Sequence, residues 1–578
     1  MASVVQTERY LVIDIGHVFT RAFLFDVVDG RYHLVGQSAV LSTWEAPVRD
    51  VREGVLSAVE ALEQIAGLRL IEEGDILTPT RVTGEGVDKV FVVTSAGRPL
   101  RMALMGILET LSLRSALRAI DPFPVEPVVR FHINDGLTEI RRLEHLLNAA
   151  PDVVLLVGGT DQGARQALLD YVHILELAAP LFPRGGRPVV LYAGNAALAS
   201  QVQEALGGHY EVLIAHNVRP ALERESLYGL RRTLQSLYRQ HVLRQIPGLD
   251  GLLNSAHGFE PAPLAWRRML HVLAAYYRGL EGYMGVHIGS GLSFFVRGSE
   301  EEVHLRCFPY GLGHGLKRFW EDVDEELLRL WTPDLKDPMG EVLHKMAYPE
   351  LAPETEAEAW LEWGLAFQMG RKMLLNMLPG SERRAFRRQG LPTHYRMLFL
   401  GGAVWSALTR PEALMLTALD LFQPVGVVTL VADVAHLAAP LGILSKVNPY
   451  VTVHMLRSAH FVPLATVVTP WGYRPRGRDP IARARLQWAP HQQMSVDLHP
   501  GEIQVLRLPP GYRGDLTVEP VGPFDVGAGP GRTLHQEVRG SWLGVVLDGR
   551  GRPLRYPSDP GQHREARQAW LRALMQEA

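Results

Sequence analysis

Five glycine turns, each set behind an apolar run, hold most of the chemistry this 578-residue sequence offers: DIGHVFT (14–20), VGGTDQG (157–163), YAGN (192–195), HIGSGLS (287–293) and LGGAV (400–404). Glycine lacks a Cβ, so the backbone there turns tightly and brings its N–H groups close to an anion. An aspartate at the strand end before such a turn supplies a hard oxygen suited to holding hydrated Mg²⁺ over phosphates. Asp14 occupies that place. One glycine turn alone is ordinary punctuation in an α/β chain. Five of them, with two hairpin-like cases far apart in the sequence, point to phosphate gripped between two halves of the molecule.

Other chemistries are disfavoured by what the chain lacks. It has no G-x-x-x-x-G-K-[ST], H-E-x-x-H, G-x-S-x-G or C-x-x-C. Cys307 is the sole cysteine, which excludes an intrachain disulfide, a Cys-rich zinc site and a cysteine-ligated cluster, and points to a reducing cytosol. Basic and acidic residues nearly balance, 59 against 62. Without a sustained Lys/Arg run no nucleic-acid partner is expected. The start MASVVQTERYLVIDIG lacks a cationic, then long apolar, leader, and the apolar stretch 413–447 is interrupted by Asp420, Gln423, Pro424, Asp433 and His436. Neither a signal peptide nor a membrane span is expected, and the reading is a cytoplasmic protein.

The elements that must position the turns can be read from periodicity. YLVIDIG (10–16), RAFLFDVV (21–28) and YHLVGQSAV (32–40) read as three strands, with Asp29-Gly30 turning between the last two. Val51, Val55, Ala58, Val59 and Leu62 then form a helical stripe over 50–65. Between 153 and 217, short strands apolar on both faces alternate with helices, the pattern of a covered parallel sheet. Residues 222–280 read as mostly helical, 283–297 as two strands around GSG, the stretch to about 390 as helical, and 397–402 as a strand. After Pro449 the segments VTVHML, ATVVTP, EIQVLRL, DLTVEP and WLGVVLD read as strands of a β-rich domain, closed by a helix in HREARQAWLRALMQ. YRPRGRDP (473–480) is the expected mobile loop.

The order DIGHVFTRAFLFD, VHIGSGLSFFV, FLGGAVW resembles the actin-like ATPase superfamily, in which two hairpins from two lobes grip the phosphates and a later glycine-glycine turn packs on adenosine. The fold class that this implies is α/β, a two-lobed actin-like ATPase fold with a separate β-rich carboxy-terminal domain. The division expected is 1–225 for a first lobe with an α/β insertion, 226–450 for the second lobe and 451–578 for the β-rich domain. A closer resemblance is to the glutamate-mutase-associated MutL family. It is carried by VTSAGRPLRM (93–102), VVLLVGGTDQG (153–163), PVVLYAGN (188–195), HNVRPALERE (216–225) and QPVGVVTLVAD (423–433). FDVGAGPG (524–531) and GVVLDGRGRPL (544–554) resemble the extension of longer members.

That resemblance implies a chaperone-like accessory protein that reactivates a cobalamin-dependent mutase using ATP and Mg²⁺. It assigns Asp14 as catalytic residue and metal ligand. It assigns Gly16, Thr20, Arg21, His287, Gly289, Gly291, Ser293, Gly401, Gly402, Gly158, Gly159 and Asp161 to cofactor binding. A mutase subunit is the implied partner. Cobalamin itself is not expected to bind directly, because the D-x-H-x-x-G signature is absent and VDLHPG (496–501) has the wrong spacing.

This chain departs from the family pattern at both hairpins. After Asp14-Ile15-Gly16, where the family carries small hydroxyl residues and then Lys, stand His17, Val18, Phe19, Thr20 and Arg21. In the second hairpin His287 replaces the family Asp, Leu292 and Ser293 replace two Thr, and Phe294 replaces the last Asp. A neutral imidazole is a poor Mg²⁺ partner, so weak or lost ATP use is expected. The alternative is a nucleotide-free scaffold. A small-molecule kinase, which needs a carboxylate base and an intact Mg²⁺ site, is disfavoured by His287.

Several further residues read as structural. His314 in PYGLGHGLK, close to Lys317, reads as part of a glycine-rich helix start with a solvated lysine, the alternative being a phosphate or ligand role, and His436 reads as a structural histidine on an apolar helix. Trp320, Trp331, Trp360 and Trp363 read as packing residues, and Glu53, Glu60 and Glu63 as a solvated helix face.

Overall fold

The computed structural model describes residues 8–183, 185–277, 280–299, 301–406, 410–458, 463–472, 479–557 and 559–575. Most of the loop expected at 473–480 lies outside the described residues. The chain opens with β1 (Tyr10–Ile15), β2 (Phe19–Val28) and β3 (Arg31–Leu41), followed by the helix Val51–Ala66. Asp50 caps that helix by accepting the Arg52 N–H, and its buried residues include the stripe Val51, Val55, Ala58, Val59 and Leu62. Glu63 does more than face solvent: its carboxylate accepts the N–H groups of Leu70 and Ile71 and ties down the chain beyond the helix. A small hairpin, β4 (Ile71–Glu72) and β5 (Asp75–Ile76), leads to β6 (Lys89–Thr94).

Next comes an inserted all-parallel sheet. Its strands are β7 (Leu100–Gly106), β8 (Val125–Phe131), β9 (Val153–Val157), β10 (Val189–Tyr192) and β11 (Val212–Ile214), in the order β11-β10-β9-β7-β8. Both faces are covered. Leu104 and Leu155 pack into the core of the first lobe, while Ala103 and Val154 pack under the helix Gln166–Ala178. The insertion thus begins upstream of residue 153, with two strands that the sequence pattern did not separate.

The chain then returns through the helices Tyr228–Gln245 and Leu249–Ser255 to β12 (Gly258–Pro261). This four-residue strand pairs parallel to β6 and completes a sheet of order β12-β6-β1-β2-β3. A boundary at 225 cuts through this lobe; we propose the division at 261/262.

The second lobe repeats the same plan. β13 (Gly282–Ile288), β14 (Ser293–Gly298), β15 (Val303–Phe308), β16 (Tyr395–Gly401) and β17 (Gly426–Ala432) run in the order β15-β14-β13-β16-β17. In both lobes the first three strands are antiparallel neighbours and the last two add in parallel. A third core lies between the lobes, where Tyr10, Val12, Phe23 and Phe25 meet Trp266 and Met269 of the helix Ala262–Tyr276 and Leu437 and Leu441 beside it. Arg268 fixes this junction by pairing with Glu260 at 2.7 Å and donating to the Gly442 carbonyl at 3.0 Å.

VTVHML, expected as a strand, lies within the helix Pro449–Leu456. Asn448 caps that helix and Pro449 opens it, which outweighs the β-branched residues. The β-rich region follows. β18 (Pro463–Thr469), β21 (Ile503–Leu506) and β24 (Val545–Asp548) extend the second lobe's sheet, while β19 (Ala482–Ala489), β20 (Gln492–Leu498), β22 (Arg513–Pro520) and β23 (Leu534–Arg539) form a four-stranded sheet of their own. The closing helix is Pro560–Met575. Among the described residues no helix is long and apolar enough to cross a membrane.

Candidate functional site

The turns after β1 and β13 are built alike. Gly16 N–H donates to the Phe19 carbonyl at 2.9 Å, and Gly289 N–H to the Leu292 carbonyl at 3.2 Å. Ile15 pairs with Thr20 and Ile288 with Ser293, so each hairpin closes on a hydroxyl residue that is fully buried. Both turns open on one cleft of about 670 Å³, whose lining includes Asp14, Gly16, Arg21, His287, Gly289 and Gly402. They meet closely: a Cβ on Gly291 would run into the His17 imidazole and push that ring aside. Gly402, at φ +101°, likewise lies against the backbone of Ile288 with no room for a Cβ.

One register down, the two hairpins diverge. Asp14 stands opposite Arg21, while the matching pair in the second lobe is His287 opposite Phe294. Those two rings stack at 4.4 Å and 2°, and Trp266 meets His287 edge-on at 5.9 Å. Among the described residues the buried His287 Nδ1 has no hydrogen-bond partner. Burial, with a contribution from the Arg21 charge, holds its imidazole down at about 3, hence neutral.

A second carboxylate comes from elsewhere. Asp433 follows β17 directly and lines the same cleft, accepting N–H groups from Leu437 and Ala438 at 2.8 and 2.9 Å. Burial raises Asp14 to about 6, with Arg21 opposing. Burial also raises Asp433 to about 6, partly offset by those N–H groups and reinforced by the Asp14 charge. Nothing in the sequence pattern singled out Asp433 as a ligand, although an Asp closing a buried strand was the very argument for Asp14. His436 stands not on a helix but in the turn after Asp433, at φ 55°, where it also lines the cleft. Burial and the Arg21 charge hold it neutral.

The mouth of the cleft is tied across the lobes. His314 contacts Ser290 Oγ at 3.0 Å through Nδ1 and Glu45 at 3.0 Å through Nε2, and the His17 ring lies 5.5 Å from it. His314 is therefore an interlobe contact rather than only part of a helix start. Lys317 is exposed, as read from the sequence. Of the tryptophans, Trp331, Trp360 and Trp363 are buried in the second lobe's core and Trp320 packs against it. Trp363 also lines the cleft.

The remaining sequence-derived site residues fall outside the cleft wall. Thr20 Oγ1 bonds to Ser42 Oγ at 2.9 Å, and Ser42 in turn donates to the Gly16 carbonyl, so that hydroxyl braces the first turn. Among the described residues the buried Ser293 Oγ has no hydrogen-bond partner, and Gly401 packs on Trp266. Gly158, Gly159 and Asp161 follow β9 in the inserted sheet and take no part in the hairpin cleft. Asp161 instead accepts from the Asn217 side chain at 2.9 Å and lines a different cavity.

Two lobes of identical strand order, gripping one cleft through matched hairpin turns, define the actin-like ATPase fold. A family model described as MutL protein matches residues 10–459, and the chain belongs to that glutamate-mutase-associated MutL family. Protein MutL of Clostridium tetanomorphum is 24% identical over 384 residues, covering 62% of this chain and 76% of that one. Among solved structures, an acetone carboxylase in its nucleotide-free form aligns at TM-score 0.31 and 11% identity, covering 85% of this chain and 81% of its own. A glycerol dehydratase reactivase aligns at TM-score 0.30 and 11% identity, covering 76% and 100%.

Proposed function

We propose that this protein is a chaperone-like accessory factor for a cobalamin-dependent mutase, with an adenine nucleotide held in the interlobe cleft and hydrolysed weakly or not at all. Family membership supports the accessory role. The matched turns on one cleft support the nucleotide, and the observation that carries the weak-hydrolysis reading is the asymmetry of the hairpins: Asp14 opposite Arg21 in one, a stacked His287–Phe294 pair in the other.

The residues present fit a nucleotide with Mg²⁺. Asp14, half-buried, and Asp433, buried, line one cleft, and each is raised to about 6 chiefly by burial, with the Asp14 charge adding to the rise at Asp433. They would hold hydrated Mg²⁺, which shields phosphate charge; Arg21 and the N–H groups of the Gly16 turn would hold the phosphates. The adenosine side falls to the turn at Gly402, which lines the cleft, with Gly401 behind it on Trp266. His287, neutral and wedged between Trp266 and Phe294, supplies no carboxylate to orient water, so the cleft is suited to gripping rather than cleaving.

Thermal melting of the full chain with millimolar MgATP or ADP tests this reading, and the expected outcome is a rise of several degrees with steady-state hydrolysis near background. Steady hydrolysis abolished by Asp14→Ala would sink the weak-hydrolysis part. Absence of any shift would favour the nucleotide-free scaffold. Co-purification of a cobalamin mutase subunit with the tagged chain tests the partner.

A further inference from the structure

The helix Tyr228–Gln245 buries Leu230, Leu234, Leu237, Tyr238 and Val242 and turns its other face outward. That outer face borders two cavities away from the nucleotide cleft. One, of about 790 Å³, lies at the carboxyl ends of β10 and β11, and its wall includes Ile214, Arg224, Tyr228, Arg232 and Ser236. The other, of about 300 Å³, shares Arg232 and Ser236 and adds Arg239, Phe259 and Pro261. The shared residues make them one groove, running from the inserted sheet to the edge strand β12.

The groove combines cationic side chains with aromatic and exposed apolar ones. Among the described residues Arg224, Arg232 and Arg239 form no ion pair; Arg232 lies 5.9 Å from the Tyr228 ring and Arg239 5.7 Å from the Phe259 ring. Tyr228 is 73% exposed and Ile214 44%. The acids on the wall are Asp161 and Glu211. Asp161 is engaged by Asn217 and by the Ala196 N–H.

We propose that this groove receives an extended acidic segment of a partner protein. From Tyr228 to Gln240 the helix rises about 18 Å, the reach of roughly five or six extended residues. A single small anion would need one arginine cluster, whereas here the guanidiniums are spread along the groove and alternate with exposed apolar side chains. Tyr and Arg are the residue types enriched where protein segments are anchored. The site is separate from the nucleotide cleft and stands or falls without it.

The test is fluorescence anisotropy of the full chain with a labelled eight-residue peptide of alternating glutamate and leucine, blocked at both ends. Saturable binding that weakens with salt is expected, lost at least tenfold in Arg232→Glu/Arg239→Glu, reduced severalfold in Tyr228→Ala, and kept in Arg232→Lys/Arg239→Lys. If the charge-reversed variant melts abnormally, Arg232→Gln and Arg239→Gln singly replace it, each expected to weaken binding. Lack of saturable binding, equal binding by folded charge-altered variants, or tighter binding of an eight-nucleotide single strand than of the peptide would each overturn the proposal. The MgATP melting shift measured on the same variants is expected to match the parent, so this result and the cleft reading are judged separately.

Discussion

At the level of single residues, Asp14 gives the sharpest expectation, because its titration is coupled to folding. In the unfolded chain an aspartate titrates near 3.9; in the fold burial raises Asp14 to about 6. Between those values the folded state keeps a proton that the unfolded state has released, so stability falls as pH rises through that window and is flat above it. Asp14→Asn removes the effect. Relative to the parent without ligand, the variant is expected to match at pH 4, to gain stability progressively up to about pH 6, and then to hold a constant advantage on the order of 1–3 kcal/mol. Melting curves from pH 4 to 8 check this; an advantage that shrinks with rising pH would contradict it. Adding Mg²⁺ at pH 7.5 is expected to stabilise the parent and leave Asp14→Asn unmoved. The half-buried cleft histidines work in the opposite sense. His17, lowered to about 4, and His287, lowered to about 3, favour the fold above the ordinary histidine range and lose that contribution as pH falls. Acid sensitivity below about pH 6 is therefore expected of both proteins.

Among the elements, what could be read from the sequence follows a physical line. Asp14, Gly16, Arg21, His287 and Gly289 were legible because strand, turn and strand are contiguous, so residue spacing fixes their geometry. Asp433, His436 and Trp266 were not, since they reach the cleft only through the long-range packing of β17, the turn after it and the helix Ala262–Tyr276 around the hairpins. β12 was missed because four residues ending in proline carry too little pattern. The β-rich region was legible strand by strand, but not in which sheet each strand lies. There a buried network does the joining: Arg550 pairs with Asp420 at 2.7 Å and Asp548 at 2.9 Å, and Arg552 reaches Asp548 at 2.8 Å, with all four side chains at most 4% exposed. Burial works to raise the Asp548 carboxyl, yet the two guanidiniums hold it far below the usual carboxylate range. Removing one member of such a network strands the others in the interior, typically at about 3–5 kcal/mol. Arg550→Ala is thus expected to lower the denaturation midpoint strongly, whereas Arg513→Ala, whose pair with Glu537 is 62% and 58% exposed, is expected to change it by less than about 1 kcal/mol.

For the whole molecule, the repeated five-strand plan explains why the cleft exists: each lobe brings its first hairpin to the same side, and the shared core between the lobes holds the two hairpins face to face. The carboxy-terminal region is not an appendage to that plan, because β18 pairs antiparallel with β17 and carries β24 and β21 into the same sheet. Ending the chain at residue 459, where the family match stops, would strip those three strands and expose the apolar edge of β17, including Val427 and Val428. It would also unpair Asp420 in the interior. Unpaired edges of apolar strands associate. The truncated chain is therefore expected to be recovered mainly as aggregate or, where soluble, to melt well below the full chain. Excising β19–β20 and β22–β23 as two separate segments, each replaced by a short linker so that β21 and β24 keep their places, would leave the pairings of β17, β18, β24 and β21 intact and is expected to cost less. Size-exclusion chromatography with melting curves on both forms distinguishes the cases; a truncation at 459 that is monomeric and melts with the full chain would mean that the second lobe closes without its last three strands.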